Sequence, residues 1–351
     1  MPATIADVAR RAGVSTATVS RILSGAATSP PGTVARVRAA ATDLDYRPSG
    51  IARSLKLRRT RTIGLIVTDI ENPFFPEMVR AVDEAAGDLG NTILLGNAGG
   101  DPQREERYLD LLVERRVDGI IVAVSRFTEH HGAWLARAPV PIVLINSESD
   151  DPRVPSIVSD NRQGGRLAAE HLLSLGHSRI GILAGPASHA ATAPRLEGIR
   201  EALSAAGLDP AAVPTVHGDG EVAGGERAAA ELRALDPAPT GLLCHNDLTA
   251  IGAVRHLLRS GLRVPADVSV VGFDDVAAAA WIHPGLTTIT QRKAEMGRWA
   301  VDRLVELIQG RPASDPRQVH LPVLLTVRES TAPPPGVGPT AGVSAAGAST
   351  D

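Results

Sequence analysis

Polar and aromatic side chains directly follow several apolar stretches of this chain that have the character of buried strands. The set is Asn72, Phe74, Phe75, Asn146, Asp160, Arg195, Asn246, Asp274 and Gln291. In open α/β sheets, ligands bind beyond the carboxyl ends of the strands. Aromatic rings suit the C–H faces of a sugar, and Asp, Asn and Arg suit its hydroxyls. The sequence therefore predicts a cleft for a small sugar, a related polyol or a nucleoside.

Ordinary structural roles are also open to these residues. Asn72 suits a turn, and the two phenylalanines that follow it suit an apolar core. Arg195, expected in a loop before a helix, could pair on the surface with Glu197 or Glu201. Asp247 is as well placed to cap the following helix as to touch a ligand.

A second kind of chemistry lies in the first two dozen residues, whose spacing predicts two short helices joined at Gly13. Thr4 is a good N-cap for the first helix and Ser15 for the second. Glycine suits the left-handed residue that ends a helix. A third helix is predicted over 31–45. Three short helices of this kind are typical of a helix-turn-helix domain.

The outward side of the second helix is small or hydroxylated, with one arginine. A helix that enters a major groove needs such a surface, because bulk is excluded, hydroxyls bind phosphates and arginine reads guanine. We expect base contacts from Thr16, Ala17 and Arg21. We expect phosphate contacts from Thr4, Ser15, Thr18 and Ser20. The alternative is an ordinary helical hairpin with a solvated face.

The charge is divided unevenly along the 351 residues, which carry a net charge of −3. Residues 1–61 hold eleven basic and three acidic residues, a net charge of +8, and the remainder carries −11. A basic head on an acidic body favours contact with nucleic acid through the head alone.

Residues 49–57 have helical spacing but span under three turns. So short a helix is marginal in water, and a partner can order it. The segment is either such a helix or a plain linker with an incidental leucine at Leu55.

From residue 62 onward, apolar stretches alternate with helical ones, and the alternation restarts near residue 156. This pattern predicts parallel sheets covered on both faces, in two similar α/β lobes. The predicted domains are a helix-turn-helix head (1–48), a hinge and linker (49–61), a two-lobed body (62–330) and a tail (331–351). The tail is rich in Pro, Gly, Ala and Ser and is expected to be disordered.

The start of the chain closely resembles the lac repressor family of bacterial transcription regulators. The matching motifs lie at 4–9, 12–15, 18–21, 46–48 and 52–56, and the resemblance extends to about residue 330. It implies a homodimer on a pseudo-palindromic duplex operator. It also implies three crossings between the lobes, near residues 160, 290 and 321, as in type I periplasmic sugar-binding proteins. Some relatives carry a leucine-heptad helix that makes tetramers, but this tail has no leucine.

In the same family the hinge helix folds in the operator's minor groove, and a leucine wedges into the central base step. The residues that match this motif are Ala52, Ser54, Leu55 and Lys56.

The cleft motifs are similar to those of ribose-binding proteins. This second resemblance implies sugar contacts from Asn72, Phe74, Phe75, Arg195, Asn246, Asp274 and Gln291. Two features depart from it. Asn146-Ser147 stands where those proteins carry Asp-Arg, and no aromatic residue occurs at 217–221. The effector could therefore differ from ribose.

Other chemistries find little support in the sequence. It contains no phosphate-binding glycine loop, no metal-ligand spacing and no catalytic constellation, so we expect no metal, no cofactor and no enzyme. The single cysteine, Cys244, excludes an internal disulfide, and no apolar run is long enough to span a bilayer. We expect a cytoplasmic regulator that acts as a repressor. A solute-binding protein and a sugar or nucleoside enzyme on the same fold are the alternatives.

The hinge interpretation is tested by Leu55→Ala. We expect operator affinity to fall about tenfold or more, because a wedge that unstacks the bases is lost, while sugar affinity stays unchanged. Anisotropy titration with the duplex and calorimetry with the sugar measure the two affinities. Unchanged operator binding would exclude the wedge.

Overall fold

The structure is a computed structural model that describes residues 3–23, 29–46, 59–124, 129–149, 151, 153–311 and 317–336. It divides the chain into a head, Met1–Arg61, and a body, Thr62–Asp351. The predicted hinge residues Ala52, Ser54, Leu55 and Lys56 lie outside the described residues.

The head contains α1 (Ile5–Ala12), α2 (Thr16–Leu23) and α3 (Pro31–Asp43). Thr4 caps α1 in a capping box with Asp7, and the two side chains lie 2.7 Å apart. Gly13 adopts the predicted left-handed conformation at φ 66°. Ser15 Oγ accepts a hydrogen bond from the backbone nitrogen of Thr18 at the start of α2. These local signals explain why the helices begin and end where the sequence predicts.

The body consists of two α/β lobes. The first contains β1 (Thr62–Val67), α4 (Phe74–Asp88), β2 (Thr92–Asn97), α5 (Pro102–Glu114), β3 (Gly119–Ala123), α6 (Glu129–Arg137), β4 (Ile142–Ile145) and β5 (Ser156–Ser159). The second contains α7 (Asn161–Ser174), β6 (Ile180–Ala184), α8 (Thr192–Ala205), β7 (Thr215–His217), α9 (Val222–Arg233), β8 (Gly241–Cys244), α10 (Asp247–Arg259), β9 (Ser269–Asp274), α11 (Ala277–Trp281) and β10 (Thr287–Thr290). The chain then adds α12 (Lys293–Ile308) and β11 (Gln318–Leu321) to the first lobe and β12 (Leu324–Thr326) to the second.

Each lobe is built on a six-stranded sheet. The orders are β11-β5-β4-β3-β1-β2 and β12-β10-β9-β8-β6-β7. Neighbouring strands are parallel, except that β12 runs antiparallel to β10. The chain passes between the sheets after β5, β10 and β11, which confirms the three expected crossings.

Apolar side chains cover both faces of each central strand. β3, β4, β6, β8 and β9 are buried along their whole length. Their continuous apolar sequences are those expected of parallel strands between two helix layers. β2 lies at an edge, where Leu94 and Leu95 are 42% and 46% exposed.

Two helices of the second lobe cross unusually closely, because glycines stand at the crossing. A Cβ on Gly198 of α8 would lie 1.9 Å from the carbonyl oxygen of Arg162 on α7. One on Gly165 of α7 would lie 2.0 Å from the carbonyl oxygen of Arg195 on α8. The backbone of Arg195 is therefore held directly against α7.

The ordered body extends slightly beyond its predicted end at residue 330. Ser269 Oγ accepts from the nitrogen of Ala332 at 3.0 Å, and the Ala332 carbonyl accepts from the ring of buried His177 at 2.9 Å. Thr331 Oγ1 lies 2.9 Å from His171 Nε2. The predicted tail boundary is too early, because composition does not reveal these anchors. Residues 337–351 lie outside the described residues.

We expect Gly198→Ala to destabilise the body by about 1–3 kcal/mol, because the added methyl group would force the two helices apart. Thermal unfolding would show a lower midpoint. The control is Gly87→Ala in α4, where an added Cβ meets nothing within 4 Å. That variant should be neutral or up to about 1 kcal/mol more stable. Equal midpoints for both variants would contradict the close-crossing explanation.

Candidate functional site

A cleft between the two lobes collects the side chains that follow the strands. Eight of the nine predicted residues line it, namely Asn72, Phe74, Phe75, Asn146, Arg195, Asn246, Asp274 and Gln291. It contains about 730 Å³ of space free of protein atoms, part of it open to solvent. The mixed polar and aromatic lining is typical of small-molecule sites.

Phe74 and Phe75 form the apolar side of the cleft. They are the first two residues of α4, and their rings meet edge to face with centroids 5.4 Å apart. Both are about 5% exposed and also pack into the core of the first lobe. The core interpretation is confirmed, and packing also fixes the rings that border the cavity, while their contact with a ligand stays a prediction.

Arg195 is the buried cation of the cleft. It lies in the first turn of α8, not in the expected loop, and is 8% exposed. Its Nε donates to Asn161 Oδ1 at 2.9 Å, and its Nη1 donates to the carbonyl of His245. The guanidinium carbon lies 3.5 Å from the centre of the Phe273 ring. Burial lowers the pKa of Arg195 to about 10, so the side chain stays charged near neutral pH.

Asp274 faces this cation across 3.7 Å from its Oδ1 to Arg195 Nη2. The same Oδ1 accepts from Gln291 Nε2 at 2.6 Å, and Gln291 Oε1 accepts from Ser159 Oγ at 2.6 Å. Burial raises the pKa of Asp274, while Arg195 and Lys293 oppose that rise. This chain of contacts joins both lobes and brings Arg195 and Asp274 together in the lining of the cleft.

Three asparagines have structural roles as well as a place in the lining. Asn72 Oδ1 accepts from the nitrogen of Phe74 at 3.0 Å. Asn246 caps α10 through Thr249, and its Nδ2 donates to the carbonyl of Gly220 at 2.8 Å. Asn146 has a left-handed backbone at φ 60°.

Asp160 departs from its predicted role. Its Oδ1 accepts from the nitrogen of Gln163 at 2.8 Å and caps α7, and the neighbouring Asn161 lines the cleft instead. The two residues are adjacent polar side chains, and the sequence does not tell which of them caps the helix.

The surface pairing considered for Arg195 is absent from its described contacts, because Glu201 pairs with Arg162 instead. Asp247 is not the cap of α10 either. It is fully buried, and its carboxylate accepts hydrogen bonds from the nitrogen of Val276 at 2.9 Å and from the hydroxyl of Thr288.

Sequence reasoning missed the mouth of the cleft. Asp69 approaches from the first lobe and Asp219 and Glu221 from the second, with His189 and His245 alongside. Burial, followed by the nearby Asp69 and Asp219, raises the pKa of Glu221. Asp219 pairs with Arg227 at 2.6 Å. Three carboxylate side chains therefore line this part of the cleft.

The two histidines differ in depth. The rings of His189 and His245 lie 6.0 Å apart. Burial, with the Arg195 cation second, lowers the pKa of His245 well below its usual value. The His245 ring is therefore neutral at physiological pH. It directly follows β8 and precedes Asn246, so the strand-end rule could have found it.

In the head, α2 turns one side to the core and the other to solvent. Val19 and Ile22 are buried, while Thr16, Ala17 and Arg21 are exposed on the opposite side. Ser15 and Thr4 are exposed, and Thr18 and Ser20 are partly buried. The hydroxyl of Thr4 already contacts Asp7, and that of Ser15 lies 2.9 Å from Thr18 Oγ1. The base and phosphate contacts stay predictions.

Two negative findings apply to the described residues. None of their helices has the length and apolarity needed to cross a membrane. Within the same ranges, no group of three or more His, Cys, Asp or Glu side chains is arranged to hold a metal ion.

Family models match almost the whole chain. Residues 4–49 match bacterial regulatory proteins of the lacI family. Residues 60–329 match the family of periplasmic binding proteins and the sugar binding domain of the LacI family.

Similar proteins agree with these matches. The ribose operon repressor of Escherichia coli K12 is 37% identical over 329 residues, 93% of this chain and 99% of that protein. The repressor PurR of Aliivibrio salmonicida is 37% identical over 310 residues, which are 88% of this chain and 93% of that protein.

Solved structures agree as well. A lac repressor dimer bound to operator and an anti-inducer superposes with a TM-score of 0.85 at 32% identity, covering 95% of this chain and 100% of that one. A LacI family regulator from Enterococcus faecium with bound ribose superposes with a TM-score of 0.70 at 32% identity, covering 78% of this chain and 99% of that one.

The buried Asp247 predicts a pH dependence of stability. Burial raises its pKa from 3.8 to about 8, so folding takes up a proton. The contribution of Asp247 to the stability of the fold is complete below the pKa that this carboxyl has in the unfolded chain, and it is lost as the pH rises through about 8. The thermal unfolding midpoint should therefore decrease as the pH rises from about 5 to about 8, and this decrease should be smaller in Asp247→Asn. The control Asp83→Asn changes an exposed carboxylate of α4 and should follow the wild type. Parallel curves for all three proteins would contradict the assignment.

Proposed function

The chain belongs to the LacI family of bacterial DNA-binding transcription regulators, and on that basis we propose that it is a repressor whose operator binding is controlled by a neutral, pentose-sized sugar. The observation that carries the proposal is the buried Arg195–Asp274 pair opposite the Phe74–Phe75 edge. Aromatic rings on one side and a fork of charged hydrogen-bonding groups on the other suit a ring with hydroxyls.

The choice among sugars follows from the charges at the mouth. Asp69, Asp219 and Glu221 line the same cleft as Arg195. A phosphate group would meet these carboxylates at short range, and like charges repel strongly in a partly buried site. A neutral sugar or nucleoside avoids this cost. The relation to a ribose operon repressor and the ribose-bound structure make ribose the first compound to test.

We propose that the active form is a homodimer. The body exposes apolar side chains that a partner subunit could cover, including Leu94 and Leu95 on the edge strand β2 and Trp281, which is 80% exposed on α11. A dimer would present two copies of α2 to the two halves of a pseudo-palindromic operator.

The proposed regulation couples the cleft to the hinge. Ligand binding between the lobes favours one arrangement of the first lobe relative to the second. In a dimer this sets the spacing of the two hinge segments. Paired hinges fold in the minor groove with Leu55 as the wedge, and separated hinges do not.

The site supports binding in preference to turnover. Asp274 already accepts from Gln291 and faces Arg195, so its carboxylate is engaged as a hydrogen-bonding partner. We therefore expect no conversion of ribose by the purified protein, which we place in the cytoplasm at the nucleoid.

The experiment combines a duplex selected from a random pool with ribose, adenosine and ribose 5-phosphate. Ribose should change operator affinity about 5- to 150-fold, in the range of allosteric coupling. Ribose 5-phosphate should bind weakly. Arg195→Lys should raise the Kd for ribose about 10- to 100-fold, because hydrogen bonds of a charged group are lost. Anisotropy and calorimetry give the two affinities.

The control is Arg162→Lys, which alters a surface pair with Glu201. It should leave ribose binding unchanged. Binding of none of the three compounds would exclude the proposed ligand class. Absence of any preferred duplex would exclude the regulator itself.

A further inference from the structure

A buried lysine connects the two lobes outside the cleft lining. Lys293 is the first residue of α12 and Glu77 lies in α4, so both belong to the first lobe. They meet Asp274, the last residue of β9, and Asp275 and Ala277, which follow it in the second lobe. Neither Lys293 nor Glu77 lines the effector cleft.

Lys293 uses all three of its N–H groups here. Its Nζ donates to the carbonyl of Asp274 at 2.7 Å and to that of Asp275 at 2.9 Å, and it pairs with Glu77 Oε2 at 2.9 Å. Its side chain is only 10% exposed. Glu77 Oε1 in turn accepts from the nitrogen of Ala277 at 3.2 Å. Three hydrogen bonds thus cross between the lobes through one ion pair.

The two carbonyls belong to an unusual stretch of backbone. Asp274 has φ 117° and Asp275 has φ 51°, a region that residues other than glycine rarely adopt. Such conformations persist only where their surroundings hold them. The side chain of Asp275 is held by Arg328 at 2.6 Å and Thr290 at 2.8 Å, both in the second lobe. Lys293 supplies the support from the first lobe.

We propose that Lys293 and Glu77 are positioning residues for effector binding, which form a clasp that holds the cleft closed and directs the Asp274 carboxylate toward the ligand. The proposal rests on the proposed function, because Asp274 is there a ligand contact.

The geometry explains how the clasp would respond to opening. Lys293 lies two residues after Gln291, beside the second crossing between the lobes, and so moves little when the lobes rotate. Glu77 and Ala277 lie on helices of opposite lobes. Opening separates these helices, which breaks the hydrogen bond from Ala277 and leaves the turn at 274–275 with less support. Affinity for the effector therefore depends on two side chains that do not touch it.

The first test measures lobe separation without any effector, so it does not depend on the ligand's identity. Arg107→Cys on α5 and Glu231→Cys on α9 are exposed positions for spin labels, and Cys244 is buried. A small amount of labelled chain is mixed with an excess of unlabelled chain, so that each measured distance joins two spin labels in the same subunit. Lys293→Met should shift the distances to longer values, Glu77→Gln should do so to a smaller extent, and Lys293→Arg should restore the short distances.

The matched control is Arg80→Met, which removes an α4 cation whose partner, Glu84, is on the same helix. It should leave the distances unchanged. Identical distances in wild type, Lys293→Met and Arg80→Met would overturn the clasp. So would a shift in Arg80→Met equal to that in Lys293→Met.

The second test uses ribose as the probe. Lys293→Met should weaken ribose binding about tenfold or more, and Lys293→Arg should recover most of it. If the wild type does not bind ribose while the distances in Lys293→Met shift as expected, the proposed ligand is wrong and the clasp is still supported. If ribose binds equally to wild type and Lys293→Met, the positioning role is wrong.

Discussion

Burying the guanidinium of Arg195 is the constraint on which the cleft depends. A buried cation is costly unless paired and hydrogen-bonded, and this one is satisfied by Asp274, Asn161 and the His245 carbonyl. These partners come from the ends of β9 and β8 and the start of α7, so three elements must meet at one point. The close crossing of α7 and α8 makes that possible, because only a glycine at position 165 lets the Arg195 backbone come so near.

The same polar chain ties the second lobe to the first. Gln291 donates to Asp274 and accepts from Ser159, and these two contacts fix the orientation of its amide. Ser159 ends β5 at the first crossing, and Gln291 follows β10 at the second. The polar side chains of the cleft are therefore held by the segments that connect the two lobes. A ligand that adds hydrogen bonds to Arg195 and Asp274 acts directly on the arrangement of the lobes, which is what a sensor domain requires.

Much of this could be predicted from the sequence because the rules involved are local. Buried parallel strands read as continuous apolar runs, and their carboxyl ends share one edge, so Asn72, Asp274 and Gln291 could be placed together. The residues that cap the helices of the head could be predicted in the same way. The errors arose where two polar neighbours compete, as with Asp160 beside Asn161 and Asp247 beside Asn246. Asp69 and Glu221 come from loops without periodicity. Lys293 could not be found, because its partners include backbone carbonyls nearly twenty residues earlier in the other lobe.

The three passages between the sheets also affect how the protein is made. The first lobe gains α12 and β11 only after the whole central part of the second lobe has been synthesised. Until residue 308 leaves the ribosome, α4 lacks the helix that packs against it, and until residue 321 does, the sheet of the first lobe lacks an edge strand. The DNA-reading head, by contrast, consists of local contacts between neighbouring helices and can fold early. A chain released before residue 293 would thus carry a head whose three helices can pack, together with a first lobe that lacks α12 and β11.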